Sequence, residues 1–265
     1  MKVNSDAEKL NMKVSSIERN KVLYASQAAF VNGHKDYFSK GNSSVPLQKI
    51  GASTPLLYLS HNPKLLLKTY LNPFSINKMA ESNPRVKELL AENGIDYNVN
   101  VKNISGILNT HLTTTTAYAL QIADSMKLSQ YEKQVLEQAC IFHDFGKVLI
   151  PSEILNKPGF LTLEEKEIMN LHSDLGYELL SQTGLNKRVL ELVKNHHNPP
   201  ADDVLAQILS VADMYSALRE VRCYKKPLTN KDAIEILDQK AQNGEVSTEV
   251  VEALKASVPA ELCAV

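Results

Sequence analysis

A chain of 265 residues, with 43% hydrophobic and 22% charged side chains, is long enough for one large domain or two ordinary ones with packed cores. Its net charge of -1 gives no sign of a nucleic-acid polymer as partner, and no run of about 18 apolar residues is present to span a membrane. Three scattered cysteines, Cys140, Cys223 and Cys263, have no Cys-x-x-Cys spacing; they argue against a disulfide framework and for a reducing, cytoplasmic setting. The opening residues, Met1 to Asp6, lack the apolar core of a signal peptide. The balanced total hides an asymmetry. Residues 1–100 carry 13 Lys/Arg against 8 Asp/Glu, net +5, and residues 101–265 carry 16 against 22, net -6. Two domains that drifted apart in charge would give this pattern, and so would two halves that attract one another.

The first hundred residues read as a smaller domain with no chemical motif. Residues 1–20 are a polar lead-in, and Val22 to Val31 fits a short helix or a strand. Residues 32–54 are rich in Gly, Ser and Asn and mark a loop. Pro55 to Ser60 has the length and apolar content of a buried strand, so an α/β fold is open here. Asn83-Pro84 stops one element, and Arg85 to Asn93 predicts a short helix closed by Gly94. His34 and His61 stand alone, as surface or hydrogen-bonded histidines usually do.

From residue 101 the chain reads as successive helices, an all-α half spanning 101–265. Ile104, Ile107, Leu108, Leu112, Ala119, Leu120 and Ala123 recur at near-helical spacing. Ser129 with Glu132 predicts a capping box at the head of a helix over 129–142. Thr162 with Glu165 predicts another, opening a helix that runs to about Gln182 and ends near Gly184. Arg188 to about His197 is the next, stopped by Pro199-Pro200, and Val204 to about Arg219 follows. Thr229 and Ser247-Thr248 open two more, separated by Asn243-Gly244.

The chemistry concentrates in this half. Five of the seven histidines, His111, His143, His172, His196 and His197, fall between residues 111 and 197, together with Asp144 and, beyond them, Asp213. Imidazole and carboxylate suit divalent transition metals such as iron, manganese or zinc. Seven such side chains are too many for one tetrahedral zinc site; they suit a pair of metals sharing a bridging carboxylate and a bridging water. His143 and Asp144 end one helix, where Gly146 is expected to let the backbone turn away, and His172 is expected in the middle of the next long one. Small Gly176, on the same face as His172, permits close helix packing or ligand access. Adjacent His196 and His197 point about 100° apart on a helix, so both reach one site only if the helix ends there or if the metals are two. Asp213, in the apolar stretch Leu209 to Tyr215, is costly to bury without a partner, and a metal is the obvious one.

Residues 105–255 resemble the HD superfamily of metal-dependent phosphohydrolases, and within it the HD-GYP branch of cyclic di-GMP phosphodiesterases. The matching stretches are His143-Asp144-Phe145-Gly146-Lys147, Ile150-Pro151, Ile154 to Thr162 (ILNKPGFLT), then Met169, His172, Gly176 and Leu180, His196-His197, Val211-Ala212-Asp213, and Arg222-x-Tyr224-Lys225. The resemblance implies an α-helical HD bundle whose metal ligands are His111, His143, Asp144, His172, His196, His197 and Asp213, with Asp144 bridging two divalent transition-metal ions, iron or manganese. It makes Lys147 the cation that neutralises charge on the scissile phosphate, and Arg222 and Lys225 the contacts to substrate phosphate. It implies hydrolysis of cyclic di-GMP or a related cyclic dinucleotide in bacterial second-messenger signalling. An HD phosphohydrolase for another nucleotide, and a signalling module that binds metal or nucleotide without turnover, are the alternatives.

The chain departs from the family at four places. Asn198 stands where the family has Glu after its His pair, and the Gly-Tyr-Pro loop is absent, Asn198 to Asp203 running directly into the next helix. Ile107 occupies the position of an acidic residue that holds a third metal in some members, so two metals are expected. The family's second acidic residue, one turn after Asp213, is replaced at Ser216 or Ala217. Residues 1–100 occupy the place of a sensory or regulatory domain, through which a homodimer or a signalling partner can act.

Overall fold

The structure, a computed structural model, describes residues 73–96, 99, 101–220 and 227–258, without the side chains of 101–109. The expectations for residues 1–72, His34 and His61 included, lie outside the described residues, as do Cys223 and Cys263 and the side chain of Ile107. The described residues all fall within one compact unit, Gly51–Val265.

Among them every regular element is helical and none is a strand. The α-helices are α1 Pro73–Ser82, α2 Pro84–Glu92, α3 Val101–Ser125, α4 Gln130–Phe142, α5 Ser152–Leu155, α6 Leu163–Asn170, α7 His172–Leu180, α8 Lys187–Asn195, α9 Val204–Arg219, α10 Asn230–Gln242 and α11 Thr248–Ser257. Short 3-10 turns cover Phe145–Leu149 and Ser181–Thr183. Side-chain caps set many of the starts. Ser129 and Thr162 form reciprocal capping boxes with Glu132 and Glu165, and Asn83, Asn186, Asp203, Thr229 and Ser247 each accept from a backbone N–H of the first turn. Gly94 and Gly184 take the left-handed conformation just past helix ends. No described helix is long and apolar enough to cross a membrane.

The long helix expected from Thr162 to Gln182 is two helices. The chain tightens at Leu171, whose N–H bonds to the Ile168 and Met169 carbonyls. The carbonyls of Met169 and Asn170 accept from the His172 ring and the Ser173 hydroxyl, so side chains compete for the acceptors a continuous helix would use. His172 therefore opens α7 instead of sitting mid-helix.

Two apolar clusters hold the helices. One joins Ile76 of α1 and Leu89 of α2 to Phe142, Leu149, Leu175, Leu179 and Val193. The other joins Ile122, Leu136, Leu192, Leu209, Tyr215, Leu237 and Leu254. Helices α4 and α8 contribute to both, and both end in the candidate site: His143 caps α4 and His196 caps α8. Packing on two sides fixes these two helix ends, and with them the two rings.

Gly146 has a different task from the expected turn. It is not left-handed. It lets the Phe145–Leu149 turn lie directly on α7, because a Cβ there would fall 2.0 Å from the His172 carbonyl oxygen. Gly176 makes the matching close approach from α7. That contact sets Asp144 beside His172.

Candidate metal centre

The fold brings all seven ligand-type residues together. His111 comes from α3, His143 and Asp144 from the junction after α4, His172 from the head of α7, His196 and His197 from the end of α8, and Asp213 from α9. His111, His143, Asp144, His172 and His196 are buried, Asp213 has a small exposed edge, and His197 is exposed at the rim.

Two groups of donors form. In the inner one, His111 Nε2 lies 3.8 Å and His143 Nε2 3.5 Å from Asp144 Oδ2, and Asp213 Oδ1 lies 2.8 Å and 3.5 Å from the same two nitrogens. In the outer one, His172 Nε2 lies 3.2 Å from His196 Nε2 and 3.1 Å from His197 Nε2. His196 and His197 meet one point because the helix ends at Asn195, just before them. Asp144 joins the groups: its Oδ2 faces the inner histidines, and its Oδ1 is 3.3 Å from His172 Nε2.

The hydrogen bonds decide which ring nitrogens carry lone pairs. His143 Nδ1 lies 2.8 Å from the Cys140 carbonyl, His172 Nδ1 2.6 Å from that of Met169, and His196 Nδ1 2.6 Å from that of Val193. A carbonyl only accepts, so each Nδ1 must donate, and in the neutral ring each Nε2 then holds a lone pair. All three Nε2 atoms point inward. His143 Nε2 has no hydrogen-bond partner although it is fully buried. Lone pairs of His172 and His196 at 3.2 Å repel unless a proton or a cation stands between them. These converging imidazole and carboxylate donors fit a divalent transition metal in each group.

The electrostatics point the same way. Burial works against the charge on Asp144, but Lys147, His143 and His172 outweigh it and hold the carboxyl well below its usual range. Asp213 is likewise held low against burial by its hydrogen bond to His111 and by the nearby His143 ring. Burial, reinforced by His197, His143 and His172, pushes His196 well below its ordinary value. Crowding by protein and then by His172 lowers His197 to about 4. Burial disfavours charge on His111 too, yet hydrogen bonds to Asp213 and Glu220 raise it to about 10. Two carboxylates held as anions, beside His196 and His197 held in their neutral forms, favour a bound cation.

Lys147 stands beside the site, its Nζ 2.7 Å from Asp144 Oδ2. Arg222 and Lys225 lie outside the described residues. The sequence reading missed Glu220. The carboxylate expected one turn after Asp213 is indeed absent at Ser216, but Glu220, about two turns on, receives the His111 Nδ1–H at 2.9 Å. Its spacing of seven from Asp213, which keeps both on one helix face, was the available signal.

Residues 109–218 match the HD domain family model, a span that includes the seven ligand-type residues and Lys147 and stops short of Glu220. The chain is similar to the cyclic di-GMP phosphodiesterase response regulator RpfG of Xanthomonas campestris, 34% identical over 132 residues that cover 44% of this chain and 34% of the relative. It is 29% identical over 211 residues to the 3'3'-cGAMP-specific phosphodiesterase 2 of Vibrio cholerae, covering 71% of this chain and 39% of the relative. It is 33% identical over 150 residues to a cyclic di-GMP phosphodiesterase of Thermotoga maritima, covering 50% and 40%. The chain thus spans 34% to 40% of the length of these relatives.

Proposed function

We propose that this chain, which carries an HD domain over residues 109–218, is a metal-dependent phosphodiesterase that hydrolyses a cyclic dinucleotide, cyclic di-GMP or 3'3'-cGAMP. Two divalent cations, iron or manganese, are held by His111, His143, Asp144, His172, His196, His197 and Asp213. The observation that carries the reading is the division of Asp144 between two donor groups, one carboxylate oxygen to each. The names of the relatives supply the substrate class.

Two bound cations supply Lewis acidity toward a phosphoryl oxygen and lower the pKa of a nearby water. The chain itself does the rest. The Nδ1 hydrogen bonds of His143, His172 and His196 keep the rings in place, so little reorganisation accompanies the reaction. Asp144 and Asp213 bring two negative charges, which leaves the loaded centre cationic and attractive to phosphate. Lys147, whose side chain is partly exposed beside Asp144, offers a further cation where charge grows on the scissile phosphate. Arg222 and Lys225 clamp substrate phosphate. Residues 1–100 regulate this activity, through a homodimer or a signalling partner.

The test is purification without chelator, reconstitution with iron(II) or manganese(II), and incubation with cyclic di-GMP, 3'3'-cGAMP and the linear dinucleotides. Metal-dependent cleavage of a cyclic dinucleotide supports the reading. Cleavage of another nucleotide alone makes the chain a different HD phosphohydrolase. Metal or nucleotide binding without turnover makes it a signalling module.

A further inference from the structure

We infer that Glu220 is a positioning residue for His111: its carboxylate holds the imidazole so that Nε2 faces the inner metal position. The inference rests on the reading of the site proposed above. His143, His172 and His196 anchor Nδ1 on backbone carbonyls three residues back. Each of those carbonyls lies in the last turn of its helix, where helical hydrogen bonding leaves acceptors unused. His111 has no such carbonyl. It lies mid-way along the 25-residue helix α3, whose interior carbonyls are taken by the helix itself. Its Nδ1 needs an acceptor from another element.

Glu220 provides one at 2.9 Å, while the opposite nitrogen of the ring is 2.8 Å from Asp213 Oδ1. Both carboxylates come from α9 and its cap, so one helix grips both ends of the ring. Ser216, between them, lies 3.3 Å from the same Nδ1, but its hydroxyl is neutral and is engaged with Thr114 at 2.6 Å. The Thr114 and Ser216 hydroxyls also lie 3.5 and 3.4 Å from Glu220 Oε1. A carboxylate at the C-cap of α9 is unfavourable for the helix dipole, so Glu220 does not stand there for the helix. Its partners account for its place. A carboxylate behind a ligating imidazole fixes the tautomer and raises ligand basicity, and losing such a partner costs about ten- to a hundredfold in metal affinity.

The experiment measures manganese(II) binding by the loss of the free-ion EPR signal, together with the melting temperature of each chelator-treated protein. Glu220→Ala should weaken the tighter manganese site by roughly ten- to a hundredfold. Glu220→Gln, which keeps a neutral acceptor, should lose less. Ser216→Asp placed in the Glu220→Ala background should restore binding, because position 216 already addresses the same nitrogen. Chelator-treated melting temperatures should stay close to wild type. Equal manganese affinity in wild type and Glu220→Ala overturns the assignment, and so does failure of Ser216→Asp to rescue a variant that melts like wild type. If Glu220→Ala melts early, Glu220→Gln decides, since unchanged affinity in a protein of native stability rejects the role and weakened affinity supports it. A wild-type protein that binds no manganese or iron sinks the metal centre as well, which separates the two failures.

Discussion

The backbones of Gly146 and Gly176 lie against each other. A Cβ on Gly146 would fall 2.5 Å from the Gly176 nitrogen, and one on Gly176 would fall 3.1 Å from the Gly146 nitrogen. This contact seats the turn after Asp144 on the helix that begins with His172, so the two donor groups owe their spacing to two missing side chains. The neighbours at Gly146 are backbone atoms, which cannot swing aside as a flexible side chain would.

Gly146→Ala should therefore destabilise the fold by about 2–3 kcal/mol, the upper part of the range for overpacking. It should also lower metal affinity by moving Asp144 away from His172. Gly176→Ala meets a milder contact and gains helix propensity of about 1 kcal/mol, so its net change should be small. Urea titration of both variants checks the order. A Gly146→Ala protein as stable as wild type would mean that the turn and α7 are not held this closely.

Much of this was legible in the sequence because it depends on local rules. Caps at Ser129, Thr162, Thr229 and Ser247 start helices wherever a hydroxyl can reach the N–H three residues on. The five clustered histidines with Asp144 and Asp213 gave the donor set. What stayed hidden depends on contacts between distant elements. The break at Leu171 has no Pro or Gly to announce it; it arises because His172 turns its ring onto a carbonyl in the turn before it. The Gly146 contact is with a residue of another helix, so the sequence suggested only a turn. Glu220 was missed because its partner, His111, lies 109 residues away.

Histidine chemistry gives the chelator-treated protein an acid-sensitive window. His197 titrates near 4 in the fold against an ordinary value of 6.5, and His196 is lowered as well. Between pH 6.5 and 4 the unfolded chain therefore binds more protons than the folded one, and stability must fall as pH falls. His111 has the opposite sign. Raised to about 10, it stabilises fully below 6.5, and that contribution is lost as pH rises toward 10. The urea midpoint should drop from pH 6.5 to 4, and His197→Gln should flatten part of that drop. A midpoint constant across the acid window would contradict the lowering of these two imidazoles.

Arg222 is the test of the phosphate clamp. Losing a charge-assisted hydrogen bond costs about 1.5–3 kcal/mol, so Arg222→Ala should weaken substrate binding by roughly ten- to a hundredfold. Metal content should stay unchanged, because a guanidinium is not a ligand at neutral pH. Steady-state kinetics beside elemental analysis reads both. Wild-type KM and turnover in Arg222→Ala would remove the clamp from the mechanism.

Asp144 separates a shared centre from two independent ones. Its Oδ2 serves the inner histidines and its Oδ1 serves His172. Asp144→Asn keeps the shape but removes the charge and turns one of the two acceptors into a donor. That donor must face either the inner nitrogens or His172 Nε2, so one change should injure both groups. His143→Gln and His196→Gln each touch one group and should each cost about one cation. Elemental analysis after iron or manganese reconstitution should find Asp144→Asn depleted of both cations and inactive. Helicity should persist, because the helices rest on two apolar clusters that Asp144 does not join. If Asp144→Asn instead retains one full equivalent of metal, the carboxylate serves a single cation, and the bridging arrangement is wrong.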